Sequence, residues 1–424
     1  IPLVMIRAVL EERKERRNSA VNEISSTWGG PQTVVGPVLV IPYHYRVDVW
    51  KDQVVNGKRE QVSVTETRTA NAYFLPATLD IEGALDPSTL HRGIYDAVVY
   101  KGTLNLSGTF ARPDFAGLDI ADQDVLWSNA VITMAVSDLR GTGEMLGIEV
   151  GGTTRVFSPG CRLEGHTSGI TAPAPWIREQ GGSTPFRMSL SLKGSRSIVF
   201  APVGQQNKAR LTSTWPDPSF QGAFLPATRT VTSAGFDAVW EVSWYGRQYP
   251  QHTVDQGGRY AFTDRAVSES CFGVDLVSPV DAYRMAERAI KYGVLFIALM
   301  FTAFFLFEII ARLRIHPVQY LLIGAALCLF YLALLSLSEF ILFGWAYWIG
   351  VIASALLVTL YSMAVLKSGR RTAVIAVAQV AIYAFLYVVL QLQDYSLLFG
   401  TAALFAVLGI VMFVTRRMEW YGTE

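Results

Sequence analysis

Apolar and polar positions alternate on two different scales along this chain, and the change comes near residue 291. Beyond it the sequence forms long uncharged runs: residues 292–311 (YGVLFIALMFTAFFLFEIIA), 20 residues interrupted only by Glu308, then 317–338 with 22 residues, 340–366 with 27, 372–393 with 22 and 395–415 with 21. A helix needs about 20 apolar residues to cross the hydrocarbon core of a bilayer. In lipid only helices and closed barrels satisfy every backbone polar group. The pattern therefore predicts five transmembrane helices.

Ahead of residue 291 the apolar runs are short, rich in β-branched and aromatic residues, and punctuated by Gly, Pro and Asp, which is strand texture. Examples are 34–42 (VVGPVLVIP), 93–106 (GIYDAVVYKGTLNL), 130–136, 187–193 (RMSLSLK), 198–202 and 238–244 (AVWEVSW). The alternation in MSLSL and KGTLNLSG predicts sheets with one face buried. Two helical stretches frame this region, a charged amphipathic one over 9–27 and another over 278–291 that runs straight into the first apolar run. The opening IPLVMI reads as the last turns of an N-terminal anchor helix, which raises the expected number of spans to six. The expected division is therefore 1–8 anchor end, 9–30 connecting helix, 31–277 β-rich domain, 278–291 stalk helix, 292–417 five-span bundle and 418–424 tail. The pentapeptide FLPAT occurs at 74–78 and again at 224–228. Each copy follows an apolar strand ending in Pro, and the echo predicts a two-lobed, duplicated β architecture.

Charge adds orientation. Over the whole chain 36 Lys and Arg balance 35 Asp and Glu, a net charge of +1, without the basic surplus that nucleic-acid binding requires. Between the apolar runs, Arg312, Arg314, Lys367, Arg370, Arg371, Arg416 and Arg417 all fall on one face, and only Glu339 and Asp394 fall on the other. By the rule that short cytoplasmic loops carry the positive charge, the β-rich domain is expected in the periplasm and the C-terminus in the cytoplasm.

Candidate chemistry is sparse. The histidines, at 44, 91, 166, 252 and 316, stand singly, and neither HExxH, CxxC, G-x-S-x-G nor a P-loop occurs; no catalytic, cofactor-binding or metal-ligating residue is assigned, and no enzyme activity is expected. GTGEMLG at 141–147 has the wrong spacing for a dinucleotide loop and reads as a turn. Cys161 and Cys271 are either a disulfide or two free thiols. Arg140 in SDLRG reads as a structural ion pair, with Asp138 or with a neighbouring strand, in preference to a substrate clamp. Ionisable and polar groups in membrane segments are the candidates for function. Glu308 lies one turn before Arg312 and is expected to pair with it. Glu339 sits in an outer turn where water is close, and Ser336 and Ser338 beside it are candidates for hydrogen bonds between helices.

These stretches resemble the CreD family of bacterial inner-membrane cell envelope integrity proteins, essentially over the whole chain. The resemblance rests on 24–42 (ISSTWGGPQTVVGPVLVIP), 92–100 (RGIYDAVVY), 137–141 (SDLRG), 219–226 (SFQGAFLP), 272–291 (FGVDLVSPVDAYRMAERAIK) and 316–339 (HPVQYLLIGAALCLFYLALLSLSE). Where a His is expected after Ser338 and Glu339, Phe340 stands. The resemblance implies an N-terminal anchor, a large periplasmic domain, a C-terminal bundle and a role in envelope integrity and the envelope stress response, with induction by a two-component system. It supplies no catalytic or binding residues. The expected function is a non-enzymatic envelope protein whose β-domain contacts envelope components or a protein partner while the bundle sits among membrane lipids. The alternative is a transporter or a protein handling lipid or envelope precursors through Glu308 or Glu339. Crosslinking probes across 95–110 and 220–245 are the informative ones for a partner, and oligomeric state is not legible.

Overall fold

A computed structural model of the chain describes residues 2–55, 58–142, 145–178, 182–255, 262–276, 282–310, 316–366, 368–392 and 395–416. It divides into two compact units, residues 1–19 with 280–424 and residues 20–279, and the division falls inside the first helix, α1 (Pro2–Trp28).

Among the described residues the β-unit holds seventeen strands. The first ten are β1 (Gln32–Val55), β2 (Lys58–Phe74), β3 (Thr78–Arg92), β4 (Tyr95–Phe110), β5 (Val131–Val136), β6 (Gly147–Val150), β7 (Thr153–Val156), β8 (Ser158–Pro159), β9 (Gly169–Pro173) and β10 (Thr184–Ser195). The rest are β11 (Ser197–Phe200), β12 (Gln206–Ser213), β13 (Pro218–Gly222), β14 (Thr228–Thr232), β15 (Gly235–Ser243), β16 (His252–Val254) and, after the short helix α2 (Asp264–Ser268), β17 (Phe272–Leu276). One sheet runs β13-β17-β11-β1-β5-β9-β8, with β2 and β16 extending along the far end of β1; the other runs β14-β15-β12-β3-β4-β10-β6-β7.

Sequence pattern explains how the two sheets differ. Val34, Val35, Val38, Leu39, Val40 and Ile41 of β1 are all buried, the continuous apolar run of a strand covered on both faces. One cover is the second sheet. The other comes from connecting segments that bring Phe115, Val125, Phe157, Leu163, Ile177 and Phe262 into the same core. In the inner strands of the second sheet burial alternates, as in β10, where Phe186, Met188, Leu190 and Leu192 point inward and Arg187 and Ser189 outward. One face packs and the other meets solvent.

The FLPAT echo is structural, but it does not make two lobes, because strands from both halves of the domain enter both sheets. Each copy is the corner where the chain leaves the first sheet for the second: 74–78 joins β2 to β3, and 224–228 leads from β13 into β14. In each, the Ala amide donates to the strand that the following Thr pairs with, Ala77 to Thr109 O at 2.8 Å and Ala227 to Val239 O at 2.8 Å. Proline suits such a corner because it has no amide to leave unpaired.

In the helical unit α1 contributes its N-terminal half, and α3 (Ala282–Ile310), α4 (Pro317–Leu337), α5 (Phe343–Leu366), α6 (Gly369–Gln391) and α7 (Ser396–Thr415) follow. α3 packs on α4 and α6, α5 packs on α4 and α6, and α7 leans on α3 and α6. That is a closed ring of four helices with a fifth beside it. α4 starts where HPVQ makes it start: the His316 side chain accepts from Val318 N, Gln319 Oε1 accepts from His316 N, and Pro317 needs no amide partner at the first position. At Gly350 a β-carbon would stand 3.2 Å from the Phe330 ring, so glycine there allows α4 and α5 to approach. Four helical stretches are long and apolar enough to cross a membrane, Ala282–Phe305, Pro317–Leu337, Phe343–Leu366 and Gly369–Gln391, with a shorter apolar stretch, Leu398–Phe413, among the described residues. The expected stalk and first span are one continuous helix, α3, from Ala282 onward. Arg312, Arg314, Lys367, Asp394, Arg417 and the tail 418–424 lie outside the described residues, as do Gly143 and Glu144 of GTGEMLG.

Candidate functional site

The outward face of the second sheet carries a broad concavity. Its construction follows from pairing register, because residues directly opposite in a ladder share a face. Thr154 of β7 pairs with Glu149, Glu149's strand places Arg187 beside it, and the series continues through Ser107, Asp80, Lys208 and Glu241. One polar row thus crosses seven strands. A second row runs Ser189, Asn105, Glu82, Arg210, Val239 and Thr228. These side chains line a trough of about 1220 Å³. Acidic and basic groups alternate along it, and one pair is locked: Arg210 donates Nε to Asp237 Oδ1 at 3.1 Å and Nη2 to Oδ2 at 2.6 Å. That guanidinium holds the Asp237 carboxyl below its ordinary range. The segments 95–110 and 220–245, singled out by sequence as places to trap a partner, supply Asn105 and Ser107, and Thr228, Asp237 and Glu241, to this one trough.

The sequence-predicted polar residues of the helical unit do not form one site. Glu339 is a correction: instead of facing water, its side chain is only 6% exposed, with Arg13 Nη1 3.6 Å from Oε2 and the Tyr283 hydroxyl donating to Oε1 at 3.0 Å. The charged run of α1 brings this about, since Arg17 lies 5.6 Å from the Tyr283 ring centre and Lys14 donates to Glu287 at 2.9 Å. Ser338 is a second correction. Its hydroxyl donates to Leu335 O of its own helix at 3.0 Å, so it links no helices, and Ser336 is on the exposed side of α4. Glu308 accepts from the Tyr320 hydroxyl at 2.7 Å; its expected partner Arg312 is outside the described residues. Glu308 and Glu339 stand at opposite ends of α3 and α4, so neither completes the other.

Sequence reasoning missed the polar groups in the middle of the bundle. Tyr347 donates to Tyr383 O at 2.6 Å, and Ser354 Oγ stands 3.0 Å from the Tyr383 hydroxyl. Gln379, fully buried, lies one turn before Tyr383 on α6, and Ser362, 1% exposed, lies two turns beyond Ser354 on α5. None of these ionises in the ordinary range, so a search for charge inside apolar runs passes over them. The signal was present as the i, i+4 pair Gln379 and Tyr383, which share a helix face.

Arg140 behaves as expected. It donates Nε and Nη2 to Asp138, at 2.6 Å for the closest contact, and also bonds Ser26 O at the end of α1. With Gly30 N donating as well, the Asp138 carboxyl falls to about 2, chiefly through its bond to Arg140. Cys161 and Cys271 are not joined in a disulfide, and the Cys271 thiol donates to Val267 O. Among the described residues no group of three or more His, Cys, Asp or Glu gathers to hold a metal ion.

Residues 1–421 match the family described as Inner membrane protein CreD. The Inner membrane protein CreD of Escherichia coli (strain K12) is 33% identical over 423 residues, which cover 99% of this chain and 90% of that protein.

Proposed function

This chain belongs to the CreD family of inner membrane proteins, and from that premise we propose that it is a non-enzymatic envelope protein whose β-domain binds an extended polar component of the periplasm through the trough of the second sheet. The reading rests on one observation, the two polar rows that cross the sheet and line a single concave face. A flat solvent face needs only to be polar, whereas a curved one with donors and acceptors in register offers repeated contacts to a chain laid across it. Mixed charge suits a ligand carrying both signs, a peptide or a peptide-bearing glycan strand, better than a polyanion.

A multi-pass bundle with the β-domain periplasmic and the C-terminus cytoplasmic completes the proposal. The seven basic residues in the short connections on one face support that orientation. In this scheme the bundle anchors the β-domain to the membrane, and loss of the trough's contacts weakens the envelope under stress.

Photocrosslinkers at Asn105, Ser189 and Glu241 of the full-length protein in intact cells test it, with Leu225, 68% exposed and outside the trough, as the comparison position. Capture of one defined envelope component from the three trough positions, lost in Lys208→Glu with Arg210→Glu, is the expected result. Equal capture from Leu225 would remove the trough from the account.

A further inference from the structure

We propose that the seam between α5 and α6 is a hydrated half-channel: ordered water enters at the α5–α6 turn and reaches Gln379 about half-way along the bundle. Three observations meet here. Both amide atoms of Gln379 are without a hydrogen bond among the described residues although the side chain is fully buried, and the Ser362 hydroxyl is in the same state. Tyr383, one turn further along α6, engages Ser354. Thr372, also buried, lies between these groups and the turn that joins the two helices.

Chain position orders the groups. From the turn inward come Thr372 and Ser362, then Gln379, then Ser354 with Tyr383, and last Tyr347. Ser354, Val358 and Ser362 follow at intervals of four on one face of α5, so the two serines are separated by about 12 Å along the axis. On α6, Gln379 and Tyr383 share a face in the same way.

The chemistry selects water. A primary amide offers two donors and an acceptor oxygen, and leaving such a group unpaired in an apolar medium costs several kcal/mol. Buried polar groups are therefore almost always bonded to protein or to ordered water. None of the groups named here is itself charged, so neither an ion nor an ionised solute is matched by them. Beyond Tyr347 the path closes. Phe330 packs on Tyr347 and Tyr383 with ring centres 5.4 and 4.6 Å away, and Tyr387 and Trp348 pack beyond them.

The proposal is independent of the trough and of its ligand. It is tested on the full-length protein in membranes with Ser362→Cys and Gln379→Cys, using a small methanethiosulfonate that reacts only with hydrated thiols and reading labelling peptide by peptide so that the three native cysteines stay in place. Leu356→Cys and Val377→Cys, on residues 58% and 69% exposed at the outer surface of the same helices, are the lipid-facing comparisons. Labelling of the seam positions at least tenfold faster than the lipid-facing ones is expected. A second measurement guards against a cysteine variant that misfolds: Gln379→Leu is expected to lower the midpoint of thermal unfolding, since it discards water-mediated bonds. Seam cysteines no more reactive than the lipid-facing ones, or a higher midpoint for Gln379→Leu, would overturn the half-channel.

Discussion

In the β-unit Gln32, Asn207 and Arg247 are buried and bonded to main-chain carbonyls, whereas in the helical unit Gln379 is at least as buried and its amide has no hydrogen-bond partner among the described residues. The β-unit's own exceptions are single atoms, the hydroxyls of Ser25, Thr142 and Ser195 and the Nε of Arg247. The contrast has a physical origin. A sheet domain ends its strands at many corners, each exposing carbonyls that a long polar side chain can reach, while a helix consumes its carbonyls internally. Buried polar side chains therefore fasten main chain at many corners of the β-unit, whereas in the helical unit Tyr347 does so at Tyr383 O while Gln379 and Ser362 have no hydrogen-bond partner among the described residues.

The strongest way to break this comparison is to remove a fastener. Arg247 donates Nη1 to Pro202 O at 2.9 Å and to Val203 O at 2.6 Å and bonds Gln251, which in turn donates to Leu75 O and Pro76 O at 2.7 Å. This network ties the first FLPAT corner to the segment after β11. Arg247→Met leaves two carbonyls and the Gln251 amide oxygen without their donor and is expected to cost about 3–5 kcal/mol. Hydrogen exchange of the full-length protein in detergent reads it locally. Peptides of β3, β12 and β16 are expected to lose protection while those of α5 and α6 keep theirs.

Asp138 gives a smaller effect with a defined pH window. Its carboxyl titrates near 2 in the folded protein against an ordinary 3.8, so the folded state binds this proton less readily than the unfolded one. The stabilisation is therefore complete above about pH 4 and is lost as pH falls from there through 2. The shift corresponds to about 1–2 kcal/mol once the exposure of Arg140, 63%, is allowed for. Acid unfolding of Asp138→Asn is expected to show a shallower slope between pH 4 and 2 than the parent, and an unchanged slope would mean that Arg140 contributes nothing there.

Asp138 with Arg140 was legible in the sequence as two neighbours of opposite charge, and so were the apolar runs and the alternation in strands such as β10. Glu339 was not, because its partners Arg13 and Tyr283 come from helices far away in sequence, and a turn residue gives no local sign of burial. The trough was half legible. Alternation identified each outward residue, but only the register that joins β3 to β12 in parallel brings Asp80 against Lys208 and Glu82 against Arg210. Gln379 and Ser362 escaped because hydropathy averages over them and charge does not mark them.

Glu339→Gln sharpens the comparison from the other side. The carboxylate is buried against Arg13, itself 40% exposed, and Tyr283. The amide keeps an oxygen for the Tyr283 hydroxyl, and the freed guanidinium has access to water, so a loss of about 1 kcal/mol is expected. Thermal unfolding of the detergent-solubilised protein would measure it. A loss as large as that of Arg247→Met would show that the helical unit has a fastener of equal strength.

Glu308→Gln is expected to have the smallest effect. Glu308 is half-buried and accepts from the Tyr320 hydroxyl, a bond that an amide oxygen retains. Removing the charge weakens that bond but also lowers the cost of holding a carboxylate in an apolar helix, and the two changes oppose each other. A net change below about 1 kcal/mol is expected in the same thermal assay, with envelope-stress tolerance unchanged. Tyr320→Phe should cost more than Glu308→Gln, because it keeps the carboxylate and removes a donor. If instead Glu308→Gln abolished tolerance while unfolding stayed the same, the carboxylate would be acting on something that passes through the bundle, and the helical unit would have a function of its own beyond holding the β-domain at the membrane.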